Sequence, residues 1–128
     1  MNIQEKQLEL LVETAEHFNS SNRAFQGGFH GDGCCHYSHD VNGGCAIGRK
    51  CTKEEADMLD GIGPVARIFG VGKEELIPLH LRELGEKFLI ELQRFHDFRY
   101  NWDANGLNET GRIKFNIIKS RIENGEYI

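Results

Sequence analysis

All four cysteines of this chain and three of its six histidines lie between residues 30 and 51. Imidazole nitrogens and thiolate sulphurs are the ligands that zinc commonly takes in proteins, and a thiolate is also a nucleophile. The thiol and imidazole side chains that follow His30 in this segment are Cys34, Cys35, His36, His39, Cys45 and Cys51. The segment is therefore the first candidate for a chemical site.

The dipeptide Asn42-Gly43 stands in the middle of this segment. Both residues tolerate the positive φ angles that the type I′ turn of a two-residue β-hairpin requires. The sequence therefore predicts a β-hairpin over residues 34–50, with this dipeptide as its turn. In that register Cys34 lies opposite Cys51 and His36 lies on the same face, so that these three side chains could bind one zinc ion.

The cluster has three interpretations, of which a zinc site is the first. Against it, Cys45 and Cys51 would lie about 20 Å apart on one continuous strand, and the close Cys-x-x-Cys pair of many structural zinc sites is missing. In the second interpretation the thiols pack as small apolar groups beside unliganded imidazoles. The third is a cysteine nucleophile activated by His36 or His39, although no oxyanion-hole motif accompanies it. Zinc is thus the only cofactor that the sequence suggests, and the residues leave the choice open.

Long helices are predicted where apolar residues recur every three or four positions. This spacing occurs over residues 3–20 and residues 79–102, and again in a last helix that Asn108 can cap. The isoleucines assigned to the buried face of the last helix are Ile113, Ile117, Ile118 and Ile122. The aromatic residues Phe95, Phe98, Tyr100 and Trp102 are interpreted as packing in the core and at a helix end.

Shorter helices are predicted between these long ones. Thr52 and Glu55 have the spacing of a capping box, which starts a helix that closes before Gly61. Pro64 stands where the first turn of another helix would begin. Together these signals predict an α+β, mostly α fold: a single domain over residues 1–128, helical, with about four to five helices and one β-hairpin.

Composition limits the classes of partner. The chain has 128 residues, of which 39% are hydrophobic, and a formal charge of -5. An acidic protein without a long basic run is a poor candidate for binding nucleic acid, because such binding depends on neutralising phosphates. No apolar run approaches the length of a membrane-spanning helix, and the first residues lack the apolar stretch of a signal peptide. We therefore expect a cytoplasmic protein with reduced thiols that binds neither nucleic acid directly nor a membrane.

Three short motifs resemble those of a loose group of short, uncharacterised proteins of bacteriophages and prophages. They are Cys35-His36-Tyr37, Cys45-Ala46-Ile47-Gly48 and Leu92-Gln93-Arg94-Phe95-His96-Asp97. Their order and separation also match, and the resemblance covers residues 24–118. The chain departs from the group after the second motif, where Arg49-Lys50-Cys51-Thr52 replaces a Leu/Ile-Pro-Asp segment.

The resemblance implies a viral or mobile-element origin and no particular activity. Small phage accessory proteins frequently act by binding, and binding needs a stable scaffold and a pocket but no catalytic constellation. We therefore expect a non-enzymatic protein that counters host defence, by sequestering a nucleotide-derived immune signal or by blocking a host protein. The side chains predicted to bind the ligand are Tyr37, His39, Arg49, Arg94 and His96.

Two alternatives belong to other classes. One is a zinc-stabilised structural or interaction module, with Cys34, His36 and Cys51 as ligands. The other is a metal- or thiol-dependent hydrolase, to which the adjacent pair His96-Asp97 would contribute. A pocket shared between subunits fits the binding hypothesis as well, so that a homo-oligomer also stays open.

Overall fold

The computed structural model describes residues 1–23, 25–26 and 34–128. Within these ranges the chain forms six α-helices and two short antiparallel ribbons, which confirms the predicted α+β, mostly α class. The helices are α1 (Ile3–His17), α2 (Lys53–Asp60), α3 (Val65–Gly70), α4 (Leu79–Arg82), α5 (Glu86–Asp97) and α6 (Glu109–Glu123). The strands are β1 (Phe25–Gln26), β2 (Cys34–Cys35), β3 (Trp102–Asp103) and β4 (Gly106–Leu107), and single 3₁₀ turns cover Gly48–Lys50, Glu74–Leu76 and Arg99–Asn101.

Polar side chains cap the helices where the sequence predicts caps. The Thr52 hydroxyl accepts from the Glu55 amide at 3.2 Å, and the Glu55 carboxylate accepts from the Thr52 amide at 2.8 Å. Asn108 Oδ1 accepts from the Gly111 amide at 2.8 Å at the start of α6. Helix α3 begins directly after Pro64. These bonds satisfy amide groups that have no partner inside the first turn of a helix.

Residues 79–102 do not form the single helix predicted for them. The chain leaves α4 at Arg82 and resumes in α5 only after Gly85, whose φ of 98° is incompatible with a continuing α-helix. The Leu84 carbonyl at this break accepts from Gln7 Nε2 of α1 at 2.7 Å, so that α1 satisfies a backbone group which the helix would have used. Leu81, Leu84 and Phe88 all face the core across the break, which explains why the apolar spacing looks continuous in the sequence.

The core surrounds α5. Four apolar side chains of this helix are at most 1% exposed: Phe88, Leu89, Leu92 and Phe95. They pack with buried side chains of α1, α3 and the segment 45–47. Helix α5 contacts α1, α3, α4 and α6, so that its last turn is held in a fixed place by elements that are distant in sequence.

The β-hairpin predicted over residues 34–50 is wrong in its location. Strand β2 pairs with β1 in the register Phe25–Cys35 and Gln26–Cys34, and the second predicted arm contains the 3₁₀ turn Gly48–Lys50 instead of a strand. The turn itself is confirmed, because Asn42 and Gly43 have φ angles of 53° and 81° and the Gly44 amide donates to the Val41 carbonyl at 2.9 Å.

A close backbone contact explains why the two arms do not form a ladder. Gly48 lies against the backbone of Tyr37, where a Cβ atom on this glycine would overlap the tyrosine carbonyl. The amides of residues 49–51 bond to carbonyls three or four residues earlier, and none of them is left for a facing strand. The register that would place Cys34 opposite Cys51 and His36 opposite Arg49 therefore does not occur.

Helix α6 buries only part of the isoleucine face predicted for it. Ile118 and Ile122 are fully buried, whereas Ile113 and Ile117 are 57% and 41% exposed. Gly111 contributes to the inner face, because its lack of a side chain lets the helix approach the Asn101 carbonyl. The helix thus has apolar residues on two sides, and only one of them faces the core.

Candidate functional site

Tyr37, the first residue predicted to bind a ligand, lies in the core and is 1% exposed. Its hydroxyl donates to the Gly63 carbonyl and accepts from Gln93 Nε2, each at 2.9 Å. Gln93 Oε1 accepts from the amide of Val65, the first residue of α3, at 2.8 Å. The Asp60 carboxylate at the end of α2 accepts from the amides of Tyr37 and the next residue at 2.6 and 3.0 Å. These bonds join α2, α3 and α5 to the segment that follows β2.

His39 and Arg49 bond to neighbouring parts of the same scaffold. His39 Nε2 lies 2.8 Å from the Gly48 carbonyl oxygen, so this nitrogen carries the proton that it donates. Glu13 of α1 forms ion pairs with Lys50 at 2.7 Å and with Arg49 at 3.7 Å. The guanidinium of Arg49 therefore already has an anionic partner within the chain.

His96 is completely buried near the end of α5. Its Nδ1 donates to Asp97 Oδ1 at 2.8 Å, its ring contacts Phe18 edge to face at 4.5 Å, and its Nε2 has no hydrogen-bond partner in the described part of the chain. Its carbonyl accepts from Trp102 Nε1 at 3.0 Å and from Arg23 at 3.1 Å. The predicted His-Asp pair therefore exists, with the imidazole enclosed in the core.

The three predicted zinc ligands differ in burial and in the contacts that the structure describes for them. The side chain of Cys34 is outside the described residues, and His36 is half-buried. Cys51 is 7% exposed, its thiol donates to the Ile47 carbonyl at 3.5 Å, and burial raises the pKa of this thiol to about 12. The residues that the structure describes contain no group of three metal-binding side chains. Cys45 and Cys51 are free thiols packed in the core, as the second interpretation of the cluster expects.

A groove of about 670 Å³ lies between α5 and α6. The side chains that form most of its walls are Arg94, Phe95, Phe98, Ile113, Lys114 and Ile117. We call this feature the α5–α6 groove. It is predominantly apolar, and its volume is in the range of about 300–1,000 Å³ that is typical of pockets for small molecules.

The charged side chains of the α5–α6 groove are unequally paired. Lys114 lies 3.5 Å from the Glu91 carboxylate, which also pairs with Arg121. Asp97 accepts from His96. Arg94 is exposed and forms neither an ion pair nor a side-chain hydrogen bond with any described residue. The groove therefore combines apolar walls with one cation that is available to an anion.

One exposed aromatic ring lines the groove, and a second exposed ring packs against it. Phe98 lines the groove and is 51% exposed, and its ring contacts Tyr100 at a centroid distance of 5.4 Å. The Arg99 guanidinium lies over the Tyr100 ring at 4.7 Å and donates to its hydroxyl at 2.6 Å. Sequence reasoning assigned Phe98 and Tyr100 to packing, and only the aromatic series itself could have indicated an exposed site.

Of the five side chains predicted to bind a ligand, only Arg94 lines the α5–α6 groove. A smaller cleft of about 290 Å³ is lined by residues of α1 and α4, and it includes none of the five. Both of its lysines pair with carboxylates, since Lys6 lies 2.9 Å from Glu83 and Lys50 lies 2.7 Å from Glu13. The α5–α6 groove is therefore the better candidate site.

No helix in the described ranges is both long enough and apolar enough to cross a membrane. Comparisons with known protein families, with curated proteins and with solved structures find no match for this chain.

Proposed function

We propose that this protein is a non-enzymatic binding protein that captures a small, flat, anionic molecule of the nucleotide type in the α5–α6 groove. Arg94 carries the proposal, because its exposed guanidinium stands beside apolar walls and has no partner among the described side chains. A guanidinium binds phosphate through two parallel hydrogen bonds, which are about twice as strong as neutral ones. A ligand with both a phosphate and an apolar ring would use the cation and the walls together.

The walls support a planar ring as the second part of the ligand. Phe98 presents aromatic surface to the groove, and stacking of a base on such a ring contributes about 1–3 kcal/mol. Phe98 is half-exposed, so that a stacked ring would remove apolar area from water. Lys114 on the opposite wall adds positive charge, although Glu91 partly neutralises it.

The biological role that fits this site is interference with host defence inside the host cytoplasm, as the resemblance to phage proteins suggests. Capture of a nucleotide-derived immune signal needs a pocket and no catalytic group. Blocking of a host protein is the second candidate, and the exposed apolar side chains at the groove, Phe98 and Ile113, favour it. The zinc-stabilised module and the hydrolase stay predictions from the sequence.

Titration calorimetry with cyclic mononucleotides, cyclic dinucleotides and cyclic ADP-ribose derivatives tests the proposal. We expect one of these classes to bind, and Arg94→Gln to weaken its affinity by about tenfold or more, because a charged hydrogen bond is lost. Arg67→Gln is the matched control, since Arg67 is an exposed arginine on α3 that lines neither cavity. We expect the Arg67→Gln variant to bind the nucleotide with the affinity of the wild type.

The aromatic wall is tested in the same assay. Phe98→Ala should weaken binding by about tenfold while the fold persists, because the ring is half-exposed. If none of these nucleotides binds, the small-molecule proposal is overturned and the host-protein candidate remains. If a nucleotide binds with equal affinity to the wild type and to Arg94→Gln, the assignment of the site to the α5–α6 groove is refuted.

A further inference from the structure

Helix α6 has a second apolar side that faces away from the core. Ile113 and Ile117 are exposed on it, and Thr110 and Ser120, also exposed, continue the same line one turn before and one turn after. We call these four residues the outer stripe. A surface helix normally has its apolar residues on the core side only, so that a second apolar side indicates a further contact.

The spacing of the outer stripe is that of a helix-pairing seam. Its members follow one another at intervals of three, four and three residues, the repeat with which two helices interlock side chains along a common line. The sequence of residue types along the stripe is also nearly the same in both directions, with a hydroxyl residue at each end and isoleucines in the middle. Such a symmetric pattern suits an identical helix that runs the opposite way.

The charges beside the stripe favour the same orientation. Glu109 lies at the start of α6 and Arg121 near its end. An antiparallel second copy that places Ile113 against Ile117 would also place Glu109 against Arg121 at both ends of the contact. A parallel copy would instead place Glu109 against Glu109 and Arg121 against Arg121. Arg121 is 42% exposed in its side chain although it pairs with Glu91, so that a second carboxylate has access to it.

We propose that the outer stripe is a self-association surface through which two copies of this chain pair α6 against α6 in antiparallel orientation. The contact is isologous, since each copy contributes the same four side chains. This inference is separate from the proposed function, because it concerns the chain without any ligand. The two features share Thr110, Ile113 and Ile117, which also line the α5–α6 groove, so that a paired copy would cover the α6 wall of the groove.

Sedimentation equilibrium of the ligand-free protein over a wide concentration range tests the proposal. We expect a reversible dimer in the wild type and a monomer, or a dimer at least about tenfold weaker, in Ile117→Glu, because the variant places two carboxylates within an apolar contact. Leu79→Glu is the matched control, since Leu79 is 66% exposed and lies outside α6. It should associate as the wild type does.

Charge variants test the orientation. Glu109→Lys and Arg121→Glu should each weaken the dimer, since each places like charges at both ends of the antiparallel contact, and an equimolar mixture of the two should restore it. A wild type that stays monomeric overturns the proposal, as does a dimer that Ile117→Glu leaves unchanged. A dimer that tolerates both charge variants refutes the antiparallel arrangement.

Discussion

Replacing Gln93 by leucine should destabilise the fold more than any exposed substitution on the same helix. The leucine leaves the Val65 amide without the acceptor that now lies at 2.8 Å, and a buried amide without a partner costs about 1–3 kcal/mol. The Tyr37 hydroxyl loses its 2.9 Å bond from Gln93 and keeps its bond to the Gly63 carbonyl. The lost bond adds about 1 kcal/mol to the destabilisation. We therefore expect a loss of roughly 2–4 kcal/mol in the free energy of unfolding.

Urea unfolding followed by far-ultraviolet circular dichroism measures this loss. Lys87→Leu is the control, because Lys87 is exposed on α5 and should change the free energy of unfolding by less than about 0.5 kcal/mol. For a chain of this size about 1 kcal/mol corresponds to roughly 4 °C in the melting temperature, which gives a second reading. A Gln93→Leu protein as stable as the control would refute the stabilising role of this bridge between α3, α5 and Tyr37.

The remaining predictions concern the segment around residues 43–51. Cys51 has a folded-state pKa of about 12 against an ordinary value of 9.0, so that its contribution to stability is complete below pH 9 and is lost as the pH rises toward 12. Cys51→Ala should therefore flatten the fall in urea midpoint between about pH 9 and 11, and an unchanged slope would contradict the raised pKa. Gly48→Ala should cost about 3 kcal/mol, because the new Cβ overlaps the Tyr37 backbone, whereas Gly43→Ala should cost only about 1 kcal/mol for its positive φ in open space. Equal urea midpoints for the two alanine variants would refute the close approach at Gly48.

The features that the sequence predicted well depend on residues close to one another in the chain. Thr52 and Glu55 bond across a single helical turn, and Asn108 caps α6 from three residues away. The Asn42-Gly43 turn likewise needs only the φ preferences of its own two residues. The interactions behind these signals involve only residues a few positions apart, so they form independently of the rest of the fold.

The hairpin prediction failed because a turn does not determine what its arms contact. Strand β2 pairs with β1, which precedes it, and the amides of residues 49–51 bond within a local turn. In the fold that results, Cys45 and Cys51 lie in the core as small apolar groups, which the spacing of the cysteines does not indicate.

The candidate site was not predictable for a related reason. The α5–α6 groove brings Arg94 and Phe98 at the end of one helix beside Ile113 and Ile117 on another. Periodicity places isoleucines on a helix but cannot say which of two apolar faces meets the core. Gly111 lies on the inner face, where its missing side chain lets α6 approach Asn101, and Ile113 and Ile117 lie on the outer face.

The only tryptophan of the chain makes the groove observable without a label. The Trp102 ring packs against Phe95 at a centroid distance of 5.5 Å, and the buried Phe95 ring lies directly behind the wall of the groove. The indole N–H is fixed to the His96 carbonyl at the end of α5, so that its environment follows any displacement of this helix end. A molecule in the groove that displaces the buried Phe95 ring or this helix end would thus alter the emission of the indole, and intrinsic fluorescence would report occupancy of the groove in the unmodified protein.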